Sequence, residues 1–552
     1  MAGSTSGGAT SAPSDIRVVV AASSAGTAFE WYDFFVFVPL ATIISKTFFA
    51  GLNDTAAYVF ALGSFAAGFA FRPVGALIFG RVGDRAGRKG AFLITVIMMG
   101  SATFCIGLLP TYAQAGLISP SLFILLRIIQ GIALGGEWGG AAIYIAEHSP
   151  PNKRGFFTSW IGAAAAFGLG GALIVTLITR TVLGDMAFNA WGWRIPFLAS
   201  VILLAVSVWF RLKLSESPVF QKMHAEGRRS TRPYADAFLE PHSLKRVLLA
   251  LFAVMVAQGT VWYTTFFYAQ FFIEKILKVA PNTVNAIMIA LVVLSAPLYI
   301  VFGALSDRIG RKAVMAGGMI LFTAALWPGF HLITRAANPA LAEAAQRAPV
   351  TVIADPAQCT LQFDPVGKAQ FRTACDILKG ALTNAGVSYH NVKAAPGASP
   401  VAKIGDATVA SVDGRTLSAP ALKAARATVS ARLAAALSKA GYPLRTDPAR
   451  TNAPLILAVL LVFAVGATAL YGPQAACLVE LFPSKVRYTA LSLPYHIGTG
   501  WVGGFLPATA YAMVAASGDS YFGLWYPIIG TVISIVATLL FLPETRTRDL
   551  NL

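Results

Sequence analysis

The chain has 552 residues, of which 56% are apolar and 12% are charged, and its net charge is +18. An ordinary soluble domain has about 25% charged residues, so this composition excludes a soluble protein, and the apolar content excludes a disordered chain. A scaffold held by disulfides is excluded as well, because the chain has only 4 Cys. The composition therefore predicts an all-α membrane protein with many transmembrane helices.

Apolar stretches long enough to cross a bilayer, about 20 residues each, occur about twelve times along the chain. They cover approximately residues 18–48, 57–80, 91–110, 121–147, 156–180, 192–212, 247–274, 283–305, 313–335, 454–481, 488–515 and 522–542. Two long polar segments, residues 213–246 and 336–453, separate some of these stretches. We expect residues 1–17 to be a disordered tail and residues 546–552 to be a second short tail.

The loops between the predicted helices carry their positive charge unevenly. Loops on the side of the two termini are rich in Lys and Arg, whereas the opposite short loops have few basic residues. The central loop 213–246 is one of the basic loops, and we also place Arg211 at its start. The positive-inside rule therefore puts both termini in the cytoplasm and segment 336–453 on the outer side. Because loop charge explains the basic composition, we expect no nucleic-acid partner. An oxidising outer compartment also makes a disulfide between Cys359 and Cys375 plausible.

A motif of the form G-x-x-x-D-R-x-G-R-K occurs twice, at residues 80–89 and 303–312, with an offset of 223 residues. Glu147 and Arg154 recur as Glu480 and Arg487 with an offset of 333 residues. The two offsets differ by 110 residues, which is close to the length of segment 336–453. The sequence therefore predicts two related six-helix halves, residues 18–212 and residues 247–335 plus 454–545, with an insertion at 336–453. A substrate site near the midplane between the halves follows from such a repeat.

The duplicated motif predicts a latch between helix ends. Glycine permits a close approach, and an Asp can accept charge-assisted bonds from the N-terminal amides of a neighbouring helix or from an Arg. The alternative is that the basic residues only anchor the topology, but two copies at matched positions favour the latch. Its predicted residues are Gly80, Asp84, Arg85, Gly87, Arg88, Gly303, Asp307, Arg308, Gly310 and Arg311.

The duplicated motif resembles that of the major facilitator superfamily. Residues 26–35 (GTAFEWYDFF), 71–75 (FRPVG) and 127–140 (RIIQGIALGGEWGG) narrow the resemblance to the metabolite:proton symporters, a family that includes permeases for shikimate, α-ketoglutarate, citrate and proline/betaine. The resemblance covers residues 18–335 and 454–545 and implies the major facilitator fold, with twelve transmembrane helices in two pseudo-symmetric bundles. The insertion departs from the family's usual short loop, so the identity of the substrate cannot be transferred.

Ionisable residues inside the predicted helices are candidates for proton coupling, because charges at membrane depth are costly and usually face a cavity or a partner. A buried carboxylate beside a cation stays charged, and it takes up a proton when the pair opens. Resemblance to the sugar porters of the same superfamily implies Asp33 as the protonated acid and Arg127 as its modulator. The rival residues are Glu30, Arg72 and Glu137, and the alternative to coupling is a static ion pair that only fixes helix packing.

Aromatic, amide and cationic side chains in the predicted spans are candidates for substrate binding. Most membrane aromatics only pack or lie at the interface, so we expect only some of these candidates to touch substrate. They are Tyr32, Arg127, Gln130, Trp138, Gln258, Trp262, Tyr263, Tyr471, Gln474, Tyr495 and His496.

The sequence thus predicts a proton-coupled symporter of the bacterial inner membrane that carries a small metabolite, with an organic acid as the first choice. One alternative is an osmolyte symporter for proline or betaine, and another is a membrane receptor that senses through the insertion. An enzyme is not expected, because no Ser/His/Asp or metal-ligand grouping occurs in the spans. We expect no cofactor or metal, and a monomer whose partners are substrate, protons and lipid.

Overall fold

The computed structural model describes residues 16–49, 67–213, 216–227, 230–360, 371–443 and 446–550. Helices make up most of these ranges, and nine helices within them are long and apolar enough to cross a membrane. The N-terminal half consists of α1 (Ile16–Phe35), α2 (Phe37–Phe48), α3 (Arg72–Ala86), α4 (Arg88–Leu108), α5 (Ile118–His148), α6 (Pro151–Gly192) and α7 (Arg194–Leu212). A short helix, Tyr112–Ala115, lies before α5.

The second half is interrupted by the insertion. After α8 (Pro218–Ala225) in the central loop come α9 (Pro241–Ile276), α10 (Pro281–Ile309) and α11 (Arg311–Ala337). The insertion holds α12 (Pro339–Arg347), β1 (Val350–Ala354), α13 (Ala374–Asn384), β2 (Tyr389–Lys393), β3 (Val401–Ile404), β4 (Ala407–Ala410) and α14 (Ala419–Lys439). The chain then continues through α15 (Ala453–Leu481), α16 (Arg487–His496), α17 (Leu506–Ser517) and α18 (Phe522–Phe541).

Proline divides two of the predicted spans. The span predicted over 18–48 is interrupted at Val36, where Pro39 lacks the N–H that would bond to the carbonyl of Phe35. The span predicted over 488–515 is divided into α16, a π-helical turn that ends at Gly503, and α17. Here Pro507 lacks the N–H that would bond to the carbonyl of Gly503. The span predicted over 57–80 lies partly outside the described residues, so the count of twelve helices stays a prediction.

The two halves meet along two related pairs of helices. Helix α3 of the first half packs against α16 of the second, and α6 packs against α10. Helix α5 also contacts α16. These seams place the duplicated motif, which joins α3 to α4 and α10 to α11, directly against the opposite half.

The insertion folds as a small α/β unit. Its sheet has the order β2-β1-β3-β4, with β1 parallel to β2 and antiparallel to β3, and with β3 and β4 forming a hairpin. Parallel pairing of β1 with β2 requires a crossover, which α13 supplies. Cys359 and Cys375 form a disulfide that joins the start of α13 to the segment after β1.

The insertion packs on the ends of the C-terminal helices that lie away from the duplicated motif. The Tyr389 N–H donates to the Gly518 carbonyl at 2.7 Å, and the Ser388 and Ser520 hydroxyls are 2.8 Å apart. The Asn391 side chain donates to the Ser517 carbonyl at 2.6 Å. The unit is therefore fixed to the turn between α17 and α18 and belongs structurally to the C-terminal half.

Candidate functional site

A small cavity lies between the halves and is lined mostly by aromatic side chains. It measures about 10 Å³, far below the roughly 300–1,000 Å³ of pockets that enclose a small molecule. Its lining consists of Trp31, Gln258, Trp262, Tyr263, Tyr471, Tyr495 and Thr499. Five of these seven residues are among the predicted substrate-binding residues, and both halves contribute. The site is therefore closed in this structure.

Stacked and hydrogen-bonded rings hold the cavity walls together. Trp138 of α5 stacks on Tyr495 of α16 with ring centroids 3.7 Å apart, which joins one half to the other. The Tyr471 and Tyr495 hydroxyls are 3.2 Å apart, and the Trp262 indole N–H donates to the Tyr299 hydroxyl at 2.9 Å. His496 lies edge-on to Tyr495, with centroids 4.9 Å apart.

Arg72 places a buried positive charge beside the cavity. Its guanidinium lies 4.2 Å from the ring centroid of Phe69 and 5.6 Å from that of Trp31, which also lines the cavity. Its charge also interacts with three tyrosines of the cavity lining, Tyr263, Tyr471 and Tyr495. No carboxylate in the described part of the chain forms an ion pair with Arg72. A guanidinium in this position can bind an anionic group of a substrate by charge-assisted hydrogen bonds.

The expected pair between Asp33 and Arg127 is not formed, and this prediction is wrong for the state described. Arg127 donates to Gln130 at 2.6 Å, and its guanidinium lies 5.0 Å from the rings of Phe34 and Phe37. Adjacent helix residues point about 100° apart, so a helix that turns Phe34 toward Arg127 directs the Asp33 carboxylate elsewhere. Asp33 is buried, and its Oδ1 has no hydrogen-bond partner among the described residues.

Glu30 and Glu137 instead share a cation that the sequence analysis assigned to a loop. Arg211 lies buried on α7 and donates to Glu30 at 3.0 Å and to Glu137 at 2.6 Å. Its guanidinium also lies 3.8 Å from the ring centroid of Phe92. Two buried carboxylates thus face one guanidinium. The loop assignment was wrong because Arg211 belongs to α7, which turns its side chain inward.

Several predicted substrate residues face other parts of the protein. The Tyr32 hydroxyl donates to the Pro196 carbonyl at 2.7 Å, and Gln130 bonds to both Arg127 and Thr103. The Gln474 amide lies 3.3 Å from the Met255 sulfur. None of these three residues lines the cavity, because their helices present them to neighbours within the same bundle.

The two Asp residues of the duplicated motif cap helices of the opposite half. Asp84 accepts from the backbone N–H groups of Tyr488 at 3.2 Å and Thr489 at 2.8 Å, in the first turn of α16. Asp307 accepts from the N–H groups of Gly155 at 2.9 Å and Phe156 at 2.8 Å, near the start of α6. The helices approach closely at both seams because glycine has no Cβ. A Cβ added to Gly80 would lie 2.8 Å from Thr489, and one added to Gly303 would lie 2.4 Å from Ser159.

Buried ion pairs extend each cap across the seam. Glu147 pairs with Arg88 of its own half and with Arg487 of the other half, the latter at 2.6 Å. Glu480 pairs in the same way with Arg311 at 3.2 Å and with Arg154 of the other half at 3.7 Å. The repeated Glu and Arg of the sequence thus form two symmetry-related bridges.

Each copy of the motif also contacts one further carboxylate, which could not be identified from the sequence. Glu216 accepts from the Lys89 N–H at 3.2 Å, and Glu544 accepts from the Arg311 N–H at 3.0 Å. Each lies opposite a motif glycine with positive φ, 118° at Gly87 and 104° at Gly310, a conformation that favours glycine. Burial favours a higher pKa for Glu544, but four backbone N–H donors outweigh it and hold its pKa below the usual value.

Two further arginines of the motif lie at the same end of the seam as the latches. Arg85 donates to the Thr231 carbonyl at 2.5 Å, which ties the motif to the central loop. Arg308 lines a cavity of about 670 Å³ between α1, α6 and α10, together with Lys153 and Asp307.

Comparisons with known proteins agree on one family. The sequence model described as "Sugar (and other) transporter" matches residues 18–354 and 427–552, and the unmatched stretch between them lies within the insertion. The proline/betaine transporter of Salmonella typhimurium is 36% identical over 329 residues, which cover 58% of this chain and 65% of that protein. This chain thus spans slightly less than two thirds of that relative's length.

Two other relatives and a solved structure extend the comparison. The shikimate transporter of Escherichia coli is 35% identical over 314 residues, covering 56% of this chain and 70% of that protein. The inner membrane metabolite transport protein YhjE of Escherichia coli is 36% identical over 302 residues, covering 54% and 68%. The proton:xylose symporter XylE, of the major facilitator superfamily, superposes with a TM-score of 0.62 over 98% of both chains at 16% identity.

Proposed function

Because this chain belongs to the sugar (and other) transporter family of the major facilitator superfamily, we propose that it is a proton-coupled symporter of a small metabolite. It works by alternating access, in which the two halves open the central cavity first to one side of the membrane and then to the other. The relatives' names support transport of a small metabolite.

The arrangement of the two halves carries this proposal. Both halves line the central cavity, and two symmetry-related latches hold the same two halves together at one end. Asp84 and Asp307 each cap a helix of the opposite half, and Glu147 and Glu480 each bridge to an Arg of the opposite half. Opening the cavity toward the latches must break all four contacts. The structure therefore supports a state that is closed on the side of the motifs.

Asp33 is the carboxylate that we propose to carry the proton. Its side chain is buried, and no cation pairs with it in the described part of the chain. A buried carboxylate without a partner is least costly when it is neutral. Glu30 and Glu137, by contrast, share Arg211, so their site has a compensating charge. In this proposal Asp33 loses its proton when the site opens to water on the inner side.

The substrate that fits the site has a carboxylate. Arg72 supplies the cation, and the rings of Trp262, Tyr263 and Tyr495 supply flat surfaces for the body of the molecule. An organic acid satisfies both features. Proline or betaine is a second candidate, because aromatic faces also bind a quaternary ammonium group, and relatives of this chain are named for proline and betaine.

We further propose that the protein lies in a bacterial inner membrane with both termini in the cytoplasm. The Lys- and Arg-rich motif loops support this orientation through the positive-inside rule. It places the latches on the cytoplasmic side and the disulfide-containing insertion outside. We propose no enzymatic activity and no nucleic-acid partner, and we propose that the monomer is the working unit.

Uptake by proteoliposomes tests the proposal. Labelled organic acids, amino acids and betaine are offered with the outside acidic, with and without an uncoupler. We expect one carboxylate-bearing class to accumulate, the uncoupler to abolish its accumulation, and Arg72→Gln to weaken it by about tenfold or more. Arg81→Gln, which changes an exposed residue of the same helix, is the matched control and should transport normally. Absence of flux for every compound would contradict the proposal and favour a receptor.

A further inference from the structure

A second cavity lies between the insertion and the outer ends of the transmembrane helices. It measures about 220 Å³. One wall comes from the C-terminal half, with His331 and Arg335 of α11 and Tyr521 just before α18. The other wall comes from the insertion, with Gln346 of α12 and Ser388 just before β2. The insertion therefore completes a pocket that the transmembrane helices alone would leave as an open surface.

Among the described residues that line this cavity, Arg335 carries a positive charge. Arg335 and His331 are four residues apart on α11 and so lie on the same helix face, and no Asp or Glu is among the lining residues. The nearby Asp519 carboxylate accepts from the Tyr521 backbone N–H at 2.9 Å. Arg335 is exposed and takes part in no ion pair in the described ranges. An anionic group entering the cavity would find a guanidinium available for charge-assisted bonds.

Part of the remaining lining is aromatic or apolar, beside polar side chains such as Gln346 and Ser388. The His331 ring stacks on Tyr521 with centroids 3.9 Å apart, and Phe272, Ile276 and Leu341 form an apolar surface beside them. A volume just below the roughly 300 Å³ at the lower end of small-molecule pockets excludes a bulky ligand. The lining suits a molecule with one carboxylate and a small planar or cyclic body.

The cavity is connected to the central site through one helix. Phe272 and Ile276 of α9 line the outer cavity, and Gln258 and Trp262 of the same helix line the central one. The ten residues from Trp262 to Phe272 span about 15 Å of helix. A ligand held against this end of α9 would shift the balance between transport states by the difference in its affinity for them.

We propose that this outer cavity binds a small aromatic or cyclic carboxylate and that the bound carboxylate modulates transport through α9. The insertion is then a regulatory element, whatever metabolite the central site carries. This inference is independent of the proposed symport, because ligand binding is measured without any flux.

Calorimetric titration of the full-length protein in nanodiscs tests the proposal, with benzoate as the probe and the neutral benzamide as its match. We expect benzoate to bind, benzamide to bind at least about tenfold more weakly, and Arg335→Gln to reduce benzoate affinity by about tenfold or more. Arg335→Lys should keep part of the affinity, which separates loss of charge from a folding defect. Arg347→Gln, at an exposed residue of α12 outside the cavity, is the control and should bind normally.

Binding at the central site is distinguished by a further variant. Arg72→Gln removes the cation beside the central cavity, so it should affect only benzoate bound there and should keep the binding that depends on Arg335. Equal affinity of the unmodified protein and Arg335→Gln for benzoate, loss of binding in Arg72→Gln, or no benzoate binding up to about 10 mM would each overturn the proposal.

Discussion

Asp84 and Asp307 occupy equivalent positions in the two halves, and each carboxylate accepts two backbone N–H bonds from the first turns of a helix in the other half. The N-terminus of a helix carries a partial positive charge, so a carboxylate there is stabilised by both its hydrogen bonds and the helix dipole. Neither contact is possible once the halves separate at this end. The pair of caps thus gives a molecular basis for a closed state that is stable but can be opened.

Neutralising either cap should favour opening on the motif side. Asp84→Asn or Asp307→Asn keeps the shape of the side chain but removes its charge, at a cost of about 1–2 kcal/mol to the closed state, or roughly tenfold in the equilibrium. Spin-label distances between the motif-side ends of α3 and α16 should show a larger open population. Asp413→Asn, at an exposed carboxylate of the insertion that pairs with Arg415, should leave the distances unchanged. An unchanged distribution in both cap variants would contradict this role.

Removing Glu147 should destabilise the protein much more than removing an exposed carboxylate. Glu147→Gln leaves Arg88 and Arg487 buried without their counter-ion, and breaking a buried pair in this way costs about 3–5 kcal/mol. Thermal unfolding in detergent should show a clear decrease in the midpoint. The control is Glu343→Gln, whose pair with Arg450 is exposed and worth about 0–1 kcal/mol. Similar midpoints for the two variants would show that the bridge contributes little.

The triad around Arg211 allows a sharper test of charge balance. Arg211→Gln leaves Glu30 and Glu137 facing each other without a cation, and it should lower the unfolding midpoint strongly. The double variant Arg211→Gln/Glu137→Gln removes one carboxylate as well and should recover part of the loss. A double variant less stable than Arg211→Gln alone would indicate that packing against Phe92, and not charge, decides the effect.

Asp33→Asn should separate coupling from movement of the halves. The variant cannot take up or release a proton at this position, so we expect it to lose proton-driven accumulation while it keeps exchange of labelled for unlabelled substrate. Both are measured in the same proteoliposomes, with Asp413→Asn as the control. Full accumulation by Asp33→Asn would assign the proton to another residue, with Glu30 or Glu137 as the next choice.

The latch could be predicted from the sequence because its motif occurs twice within one chain. The chemistry of an Asp at the end of a helix indicated either the N-terminal amides of a neighbouring helix or an Arg as partner, and the structure shows the amide contacts for both copies. Glu216 and Glu544 also recur, just past the last helix of each half. A single carboxylate in a short segment is too weak a signal to be recognised without the fold.

Pairs of buried charges could not be predicted in the same way. Composition and hydropathy show that Asp33 and Arg127 are at membrane depth, but the rotation of each helix decides which side chains meet. Here Phe34 and Gln130 contact Arg127, and Arg211 turns inward to the two Glu residues. The fold of the insertion gave no usable pattern either, because its strands of four or five residues are too short to identify against the helical background.

Coupled proton flux is the most direct test of the proposed symport. Proteoliposomes with a pH-sensitive dye inside and no initial pH gradient are exposed to a substrate found in the uptake assay. The account predicts that adding this substrate outside acidifies the lumen in step with its uptake, and that Asp33→Asn abolishes the acidification. Uptake of substrate by the unmodified protein with no change in internal pH would contradict it.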